Sequence, residues 1–338
     1  MAFLQTLCLA VMAQKIEIAD AEDGQPLPAA SIFNSEGHLL GVAGTDGSYE
    51  GARDTDWPLT VRYIGYRAAT VESPCAVIKM EREDVALPEI EVGNTTEGVW
   101  LLCYARGCCS LSQSENVGMV YSEKMVDFLI PLKKGAKGFK KMAKPRTLLE
   151  LNTVHAVTPQ GRDTTFQTTE GSIDFNLFSR DIDNVETEPD SMRGLDAAVL
   201  NVDDGYVGLT YRKGGGQFSV TKDHLFKKKD HRFNMPGIIN LLLGMKVCVT
   251  EDVESRLYGV NSYGKYYPSD LALMSMTIKM ELSGKRIKKK TGRDEPADAF
   301  LWTEIYPVDY RFVTSAESKD IKDNPPKVEM KRPAGLSE

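Results

Sequence analysis

The sequence lacks the features from which catalytic and metal sites are most often built. It has four histidines, none followed by glutamate at the third position, and its six cysteines include no Cys-x2-Cys pair. Zinc peptidases and structural zinc sites depend on such spacings. Gly-x-Ser-x-Gly is missing, and residues 214–216 (Gly-Gly-Gly) are not followed by Lys-Ser or Lys-Thr, so neither a nucleophile elbow nor a phosphate loop is indicated. We therefore predict no enzymatic activity, no cofactor and no metal.

Long apolar runs and an excess of basic residues are also missing. After the N-terminus no stretch reaches about 18 uninterrupted apolar residues, so no transmembrane helix is predicted. The formal net charge is −7, from 41 basic and 48 acidic residues, which argues against a nucleic-acid partner. With 42% hydrophobic and 26% charged residues over 338 positions, the composition is that of a globular protein of two or three domains.

The first 13 residues, MAFLQTLCLAVMA, carry no charged side chain. Val11 and Ala13 stand at the positions −3 and −1 that signal peptidase prefers, so the pattern predicts a signal peptide over residues 1–13, with Gln14 as the first mature residue. We expect the protein to be exported, to the periplasm or to the outer membrane. The alternative interpretation of this segment is a buried first strand or helix.

Three of the six cysteines form a Cys-x4-Cys-Cys cluster, Cys103, Cys108 and Cys109. This spacing does not fit a zinc site. Two interpretations remain open. One is a disulfide within the cluster or to Cys248, and the other is that the cysteines are small buried apolar residues.

Residues 15–92 have the pattern of short strands separated by turns. Pro26 suits the start of a strand, where its missing N–H is tolerated. Asp46-Gly47 predicts a turn that leads into a strand. Residues 59–63 alternate along a strand that precedes Gly65, where we predict a bulge. The region is therefore predicted to be entirely β.

Three segments of this region, 24–32, 44–49 and 59–66, occur in the order seen in a known family. Together they resemble the carboxypeptidase regulatory-like domain, a seven-stranded transthyretin-like β-sandwich. The resemblance covers residues 15–92 and implies an antiparallel sandwich that folds on its own and carries no catalytic residue. It departs from the family at Pro28, where glycine is usual. Such domains stand at the N-terminus of outer-membrane receptors and other envelope proteins of Gram-negative bacteria, which agrees with the predicted export.

Residues 93–321 are predicted to form a second, larger β-rich domain of unknown function, so the fold class is mainly β. Residues 98–106 are apolar on both faces, as in a strand buried on both sides. Residues 117–132 fit a helix or a strand, and their turn-rich, Val-rich surroundings favour a strand. Residues 271–282 alternate as a long half-buried strand. Further short strands are predicted at 148–157, 172–178, 196–200, 205–211, 217–220 and 299–310.

The end of the chain changes character. Thr314 followed by Glu317 forms a capping-box pattern, which predicts a short helix over residues 313–322. Residues 322–338 are rich in proline and lack apolar periodicity, so we predict a disordered tail.

The second domain carries a resemblance of its own at residues 104–106, 122–131 and 144–146. These segments are similar to uncharacterised envelope proteins that pair the β-sandwich with a β-rich C-terminal domain. The resemblance supports the pairing of the two domains and implies no activity.

Basic residues are concentrated in the second domain. Residues 15–92 carry 15 acidic and 6 basic side chains, so the first domain repels polyanions. Residues 222–232 and 285–293 each hold a basic group. A denser one falls at 133–146, and we interpret it as a candidate anion-binding loop; the alternative is a solvated loop whose charges discourage edge pairing. Its basic residues are Lys133, Lys134, Lys137, Lys140, Lys141, Lys144 and Arg146.

These observations lead to three functional hypotheses. The first is a non-enzymatic cell-envelope protein, a β-sandwich adaptor fused to a β-rich interaction or binding domain, whose partner is another envelope protein or an anionic envelope component. The second is an outer-membrane receptor or transport-related component. The third is a hydrolase acting on cell-wall or glycan substrates. The missing catalytic motifs and the basic segments favour the first.

Overall fold

The computed structural model of the 338-residue chain describes residues 14–28, 30–35, 39–44, 46–53, 56–82, 97–113, 116–132, 142–157, 163–168, 185–292, 294–333 and 336. The chain divides into two compact units, Met1–Glu83 and Asp84–Glu338. The architecture is mainly β, which confirms the predicted fold class. Three predicted features lie outside the described residues: the signal peptide at 1–13, the domain boundary at 92 and the strand at 172–178.

The first unit contains seven described strands in two sheets. The strands are β1 (Gln14–Asp20), β2 (Ser31–Phe33), β3 (Leu39–Val42), β4 (Ser48–Ala52), β5 (Leu59–Arg62), β6 (Ala69–Val71) and β7 (Val77–Met80). One sheet has the order β4-β1-β7 and the other β3-β2-β5-β6. The prediction of an antiparallel arrangement is wrong for β1 and β7, which pair in parallel. The chain passes through the other sheet before it returns as β7, so no hairpin forces the two strands to run in opposite directions.

Alternation along the strands decides which side chains of the first unit are buried. In β1, Ile16 and Ile18 are buried and Glu17 between them is exposed. In β5, Leu59 and Val61 are buried and their neighbours are half-buried. Burial of such a side chain stabilises the fold by roughly 1.5–3 kcal/mol. The apolar side chains that this alternation buries are therefore the main source of stability of the first unit.

Gly65 adopts a left-handed backbone conformation with a φ of 77°. The N–H of Tyr66 donates to the carbonyl oxygen of Tyr63 over 3.1 Å, so the predicted bulge is instead a tight turn. We expect Gly65→Val to lower the free energy of unfolding of the first unit by about 1 kcal/mol or more, because a β-branched residue is strained at this φ. Calorimetry of the full chain measures the loss.

A matched control is Gly118→Val in the second unit. A Cβ on Gly118 would lie in open space, and Gly118 does not have a positive φ. We expect this variant to unfold like the wild type. An equal loss at Gly65 and Gly118, or no loss at Gly65, would contradict the assigned role of the turn.

The second unit contains thirteen described strands and three described α-helices. The strands are β8 (Gly98–Gln113), β9 (Asn116–Pro131), β10 (Met142–Val157), β11 (Asp163–Thr168), β12 (Glu186–Thr187), β13 (Ala198–Asp203), β14 (Gly208–Gly214), β15 (Gln217–Asp223), β16 (Phe233–Asn234), β17 (Lys246–Gly259), β18 (Lys265–Tyr266), β19 (Leu271–Ser283) and β20 (Ala297–Val313). The helices are α1 (Gly237–Leu243), α2 (Lys285–Thr291) and α3 (Ser315–Asp323). Within the described ranges no helix is long and apolar enough to cross a membrane.

Eleven of these strands form one sheet. Its order is β11-β10-β9-β8-β20-β19-β17-β15-β14-β13, with β16 paired to β17. Strands β8 to β11 run outward in sequence order and β13 to β20 run back inward, so β8 and β20 pair in the middle. The ambiguous residues 117–132 belong to strand β9, and the predicted long strand at 271–282 is β19.

Residues 98–107 of strand β8 are buried on both faces, as predicted for residues 98–106. Val99, Leu101 and Cys103 join an apolar core on one face. In that core the rings of Phe218 and Tyr266 stack with centroids 4.4 Å apart. The opposite face of β20-β8-β9 carries ionised and aromatic side chains, and we call it the charged face. Its main residues are Trp100, Tyr104, Arg106, Glu123, Asp127, Glu304 and Tyr306.

The end of the chain lies against the charged face. Helix α3 begins at the N-cap Thr314 and has the capping box with Glu317 that the sequence predicts. Residues 325–333 form no helix or strand, yet the N–H of Lys331 donates to Met125 Sδ over 3.4 Å and Arg332 forms two 2.7 Å bonds with Glu123. This part of the tail, predicted to be disordered, therefore has defined contacts. They are ionic and polar, so apolar periodicity did not reveal them.

Candidate functional site

The structure places two of the seven candidate anion-binding residues, Lys144 and Arg146, on strand β10. The other five lie outside the described residues, and an anion-binding loop there stays a prediction: Lys133, Lys134, Lys137, Lys140 and Lys141.

Arg146 contacts the charged face. Its Nε and Nη2 atoms donate to the two carboxylate oxygens of Asp127 over 2.9 and 2.5 Å. Its Nη1 atom donates to the carbonyl oxygens of Ile321 and Lys322 over 3.0 and 3.3 Å. Asp127 is 1% exposed and also accepts a 2.8 Å bond from Trp100 Nε1. The guanidinium of Arg146 is thus engaged in joining β10 to β9 and to the end of α3.

Arg106 forms a second buried pair on the charged face. Its Nε atom donates to Glu304 Oε2 over 2.8 Å, and the hydroxyl of Tyr306 donates to the same oxygen over 2.6 Å. The guanidinium carbon lies 5.5 Å from the centre of the Trp302 ring. Burial alone would lower the pKa of Arg106, but the charge of Glu304 raises it above its ordinary value. The guanidinium of Arg106 therefore stays protonated.

Glu123 lies where the charged face contacts the tail of the chain. It accepts a 2.6 Å bond from the Tyr104 hydroxyl and the two bonds from Arg332. Burial alone would raise the pKa of Glu123, but these hydrogen bonds lower it. Burial, and the bond to Glu123, raise the pKa of Tyr104 above its usual range. Both groups hold a fixed protonation state near neutral pH, which suits a structural role.

Three residues of the second basic group, at 222–232, also face carboxylates: Lys222, Lys227 and Arg232. Lys222 is hydrogen-bonded to Glu186, and Arg256 Nη1 lies 3.5 Å from the same carboxylate. The side chain of Arg256 is 2% exposed, and its Nε atom donates a hydrogen bond to Glu254 Oε1 over 2.7 Å. Two further pairs of this group are more exposed: Lys227 with Asp203, and Arg232 with Glu281.

Glu251 is a carboxyl group that titrates near neutral pH. It follows the irregularity of β17 at which the pairing with β19 shifts between Val249 and Glu251. Burial raises the pKa of Glu251 to about 7; the charge of Lys279 opposes this rise and that of Asp223 adds to it. A catalytic role would need further groups, and no cluster of three or more His, Cys, Asp or Glu in the described part of the chain is placed to hold a metal ion.

The third basic group forms the exposed helix α2. Residues 284–292 carry five Lys and Arg and no acidic residue. Ile287 is 4% exposed and packs the helix against the protein, while Lys285, Arg286 and Lys289 are exposed. Lys288 is exposed as well and lies 2.7 Å from Asp294. Sequence analysis identified these residues as a charged group, and the structure places them side by side on one helix.

Helix α1 is the feature that sequence analysis missed. Its sequence is GIINLLL, and Ile238, Leu241 and Leu242 are 70%, 81% and 79% exposed. Pro236 before the helix and Gly244 after it, in a left-handed conformation, mark its ends. These two residues are usual helix-boundary signals. An apolar segment would ordinarily be assigned to the core, so the sequence gives no sign of its exposure.

The described cysteines form no disulfide: Cys75, Cys103, Cys108, Cys109 and Cys248. Cys103 is fully buried in the apolar core and burial raises its pKa. Burial also raises the pKa of Cys109. The interpretation of the cluster as small buried residues is therefore confirmed for Cys103.

Comparison with known proteins adds little to this geometry. No family model and no curated protein matches the chain. Among solved structures, DNA polymerase III subunit beta from Borrelia burgdorferi, in complex with a natural product, aligns with 8% identity and a TM-score of 0.10. The alignment covers 58% of this chain and 56% of that one. At such a TM-score the likeness carries no argument about fold or function.

Proposed function

We propose that this chain is a non-enzymatic protein of the cell envelope whose second unit binds an anionic envelope component. In this proposal residues 1–13 are a signal peptide and the first unit is a carboxypeptidase regulatory-like adaptor. The resemblance of residues 24–32, 44–49 and 59–66 to envelope-associated domains supports the location.

The observation that carries the proposal is the exposed cationic helix α2. Several other basic residues described in the second unit face a carboxylate, as Arg106 faces Glu304 and Arg146 faces Asp127. Helix α2 instead concentrates positive charge at the surface of a chain whose formal net charge is −7. Such a surface attracts polyanions over about a Debye length, roughly 8 Å at physiological salt.

Retention of the mature full-length chain on immobilised heparin tests the electrostatic part. Heparin is a polyanion without a bilayer, so its binding depends on charge alone. We expect Lys285→Gln with Lys289→Gln to weaken retention by roughly threefold to tenfold, because each exposed charge contact is worth only a fraction of a kcal/mol to about 1 kcal/mol. Replacing Lys133, Lys134, Lys137 and Lys140 with Gln is expected to weaken it further through the candidate loop.

The matched control is Lys265→Gln with Lys319→Gln, which removes the same charge at two exposed positions outside α2. It should be retained like the wild type. Wild-type protein that passes through the heparin column at low salt would contradict electrostatic binding. Native protein found in the cytoplasm with Met1 intact would contradict the proposed location.

A further inference from the structure

Helix α1 is held to the second unit by its polar residue. The side-chain amide of Asn240 donates to the carbonyl oxygen of Met235 over 2.9 Å, and its side-chain oxygen accepts from the N–H of Val247 over 3.1 Å. The backbone carbonyl of Asn240 accepts from the N–H of Met245 over 3.1 Å. Asn240 is also the one residue of α1 that is not exposed. The usual arrangement, with apolar side chains inside and polar ones outside, is reversed here.

The reversal leaves an apolar surface at the helix. The three side chains that are 70–81% exposed, Ile238, Leu241 and Leu242, belong to one seven-residue helix. Scattered exposed leucines are common in soluble proteins, but a contiguous group of them marks a surface that is covered by something else.

The cationic helix α2 lies directly beside this surface. Arg286 Nη1 donates to the carbonyl oxygen of Leu243, the last residue of α1, over 2.7 Å. The Cδ atom of Arg286 also lies 3.5 Å from the point that a Cβ atom would occupy if Gly244 carried a side chain. Residues 233–246 add Lys246 and contain no acidic residue. The leucines of α1 are therefore bordered by positive charge.

We propose that α1 and α2 together dock the second unit on an anionic phospholipid bilayer, with the leucines of α1 inserted among the acyl chains and the lysines of α2 at the phosphates. The inference rests on the proposed function, and it names the anionic component. Apolar residues bordered by Lys and Arg are the pattern of interfacial membrane segments. A seven-residue helix is about 10 Å long, which suits the interface and is far shorter than the hydrocarbon core.

A second copy of the chain fits this surface less well. In a symmetric dimer the same patch meets itself, so each cationic α2 would approach the cationic helix of its partner. Phosphate headgroups bring the opposite charge instead. The charge beside the leucines thus favours a lipid surface over self-association.

Vesicle co-sedimentation of the mature full-length chain tests the proposal. The probes are vesicles of phosphatidylcholine alone and of phosphatidylcholine mixed with phosphatidylglycerol. We expect binding to the mixed vesicles only, and a loss of at least about tenfold in affinity for Leu241→Ser with Leu242→Ser. Tyr206→Ser with Tyr263→Ser is the matched control, since both tyrosines are 83% exposed and lie outside α1. All variants should keep the wild-type melting temperature.

Fluorescence locates the inserted residue. Leu242→Trp keeps the apolar surface, and its emission is expected to shift to shorter wavelength when mixed vesicles are added. Tyr206→Trp is expected to show no shift. This comparison separates insertion of α1 from adsorption of the whole chain to a charged surface.

Three outcomes would overturn the proposal: no sedimentation of wild type with mixed vesicles, equal binding by the double-serine variant, or no shift for Leu242→Trp. A wild-type dimer that the double-serine variant dissociates would assign α1 to self-association. Retention on heparin is expected to survive the leucine changes, so failure of membrane docking and failure of the proposed function give different results.

Discussion

Replacing Arg146 with Gln is expected to lower the free energy of unfolding of the second unit by about 3–5 kcal/mol. The change leaves the carboxylate of Asp127, 1% exposed, with Trp100 as its remaining described side-chain partner. It also removes the two bonds to carbonyl oxygens at the end of α3. A buried charge without its counter-ion is costly because the interior solvates it poorly.

Denaturant unfolding of the full chain measures this loss, followed by the emission of its three tryptophans, of which Trp100 lies at the site. Arg193→Gln is the matched control, because its pair with Asp190 is exposed and should contribute less than about 1 kcal/mol. Arg146→Met combined with Asp127→Leu removes both charges and is expected to be much less destabilising than Arg146→Gln alone. A loss below about 1 kcal/mol for Arg146→Gln would contradict this structural role and would favour the earlier assignment of Arg146 to anion binding.

Replacing Asp20 with Asn is expected to destabilise the first unit by about 2–4 kcal/mol. Asp20 is 1% exposed. One carboxylate oxygen accepts a 2.5 Å bond from the Tyr66 hydroxyl and a 2.7 Å bond from Arg82 Nε, and the other accepts a 2.7 Å bond from the N–H of Glu22. Asn keeps the shape of the side chain but loses the charge that faces Arg82. Glu50→Gln, at an exposed pair with Lys15, is the matched control.

The same site predicts a pH dependence. Burial alone would raise the pKa of Asp20, but the hydrogen bonds from Tyr66, Glu22 and Arg82 lower it from 3.8 to about 2. A carboxyl group with a lowered pKa stabilises the folded state above its unfolded pKa, and this contribution disappears as the pH falls through the folded pKa. We expect about 2 kcal/mol to be lost between pH 5 and pH 2 in wild type and not in Asp20→Asn. Equal acid sensitivity of the two proteins would contradict the assignment.

Local patterns of the sequence were sufficient for elements whose cause is local. The capping box of Thr314 and Glu317 needs residues only three positions apart, and the predicted helix begins there. The alternation of residues 271–282 identified β19 for the same reason. Gly65 was recognised as special, but its turn was mistaken for a bulge because both use the same backbone freedom of glycine.

Features that depend on distant residues could not be predicted in this way. Arg146 belongs to a segment with the composition of a basic surface loop. Its bonds to Asp127 arise only when β9 and β10 pair. The contact of Arg332 with Glu123 spans 209 residues of sequence. Helix α1 has the composition of a core segment, and it is exposed because Asn240 takes the inward position. In each case the partner, and not the residue itself, decides the role.

The pairing of β8 with β20 has a consequence for the order in which the second unit is synthesised and folds. The outward run from β8 to β11 and the inward run from β13 to β19 each consist largely of neighbours in sequence, so each can begin to pair as it leaves the ribosome. The pair that joins them is the least local, since Arg106 and Glu304 are 198 positions apart. Until residues 297–313 emerge, the edges of β8 and β19 that later pair with β20 have unpaired backbone N–H and C=O groups. Such edges can pair with other chains and so promote aggregation. We therefore expect the nascent second unit to depend on chaperones until β20 is complete.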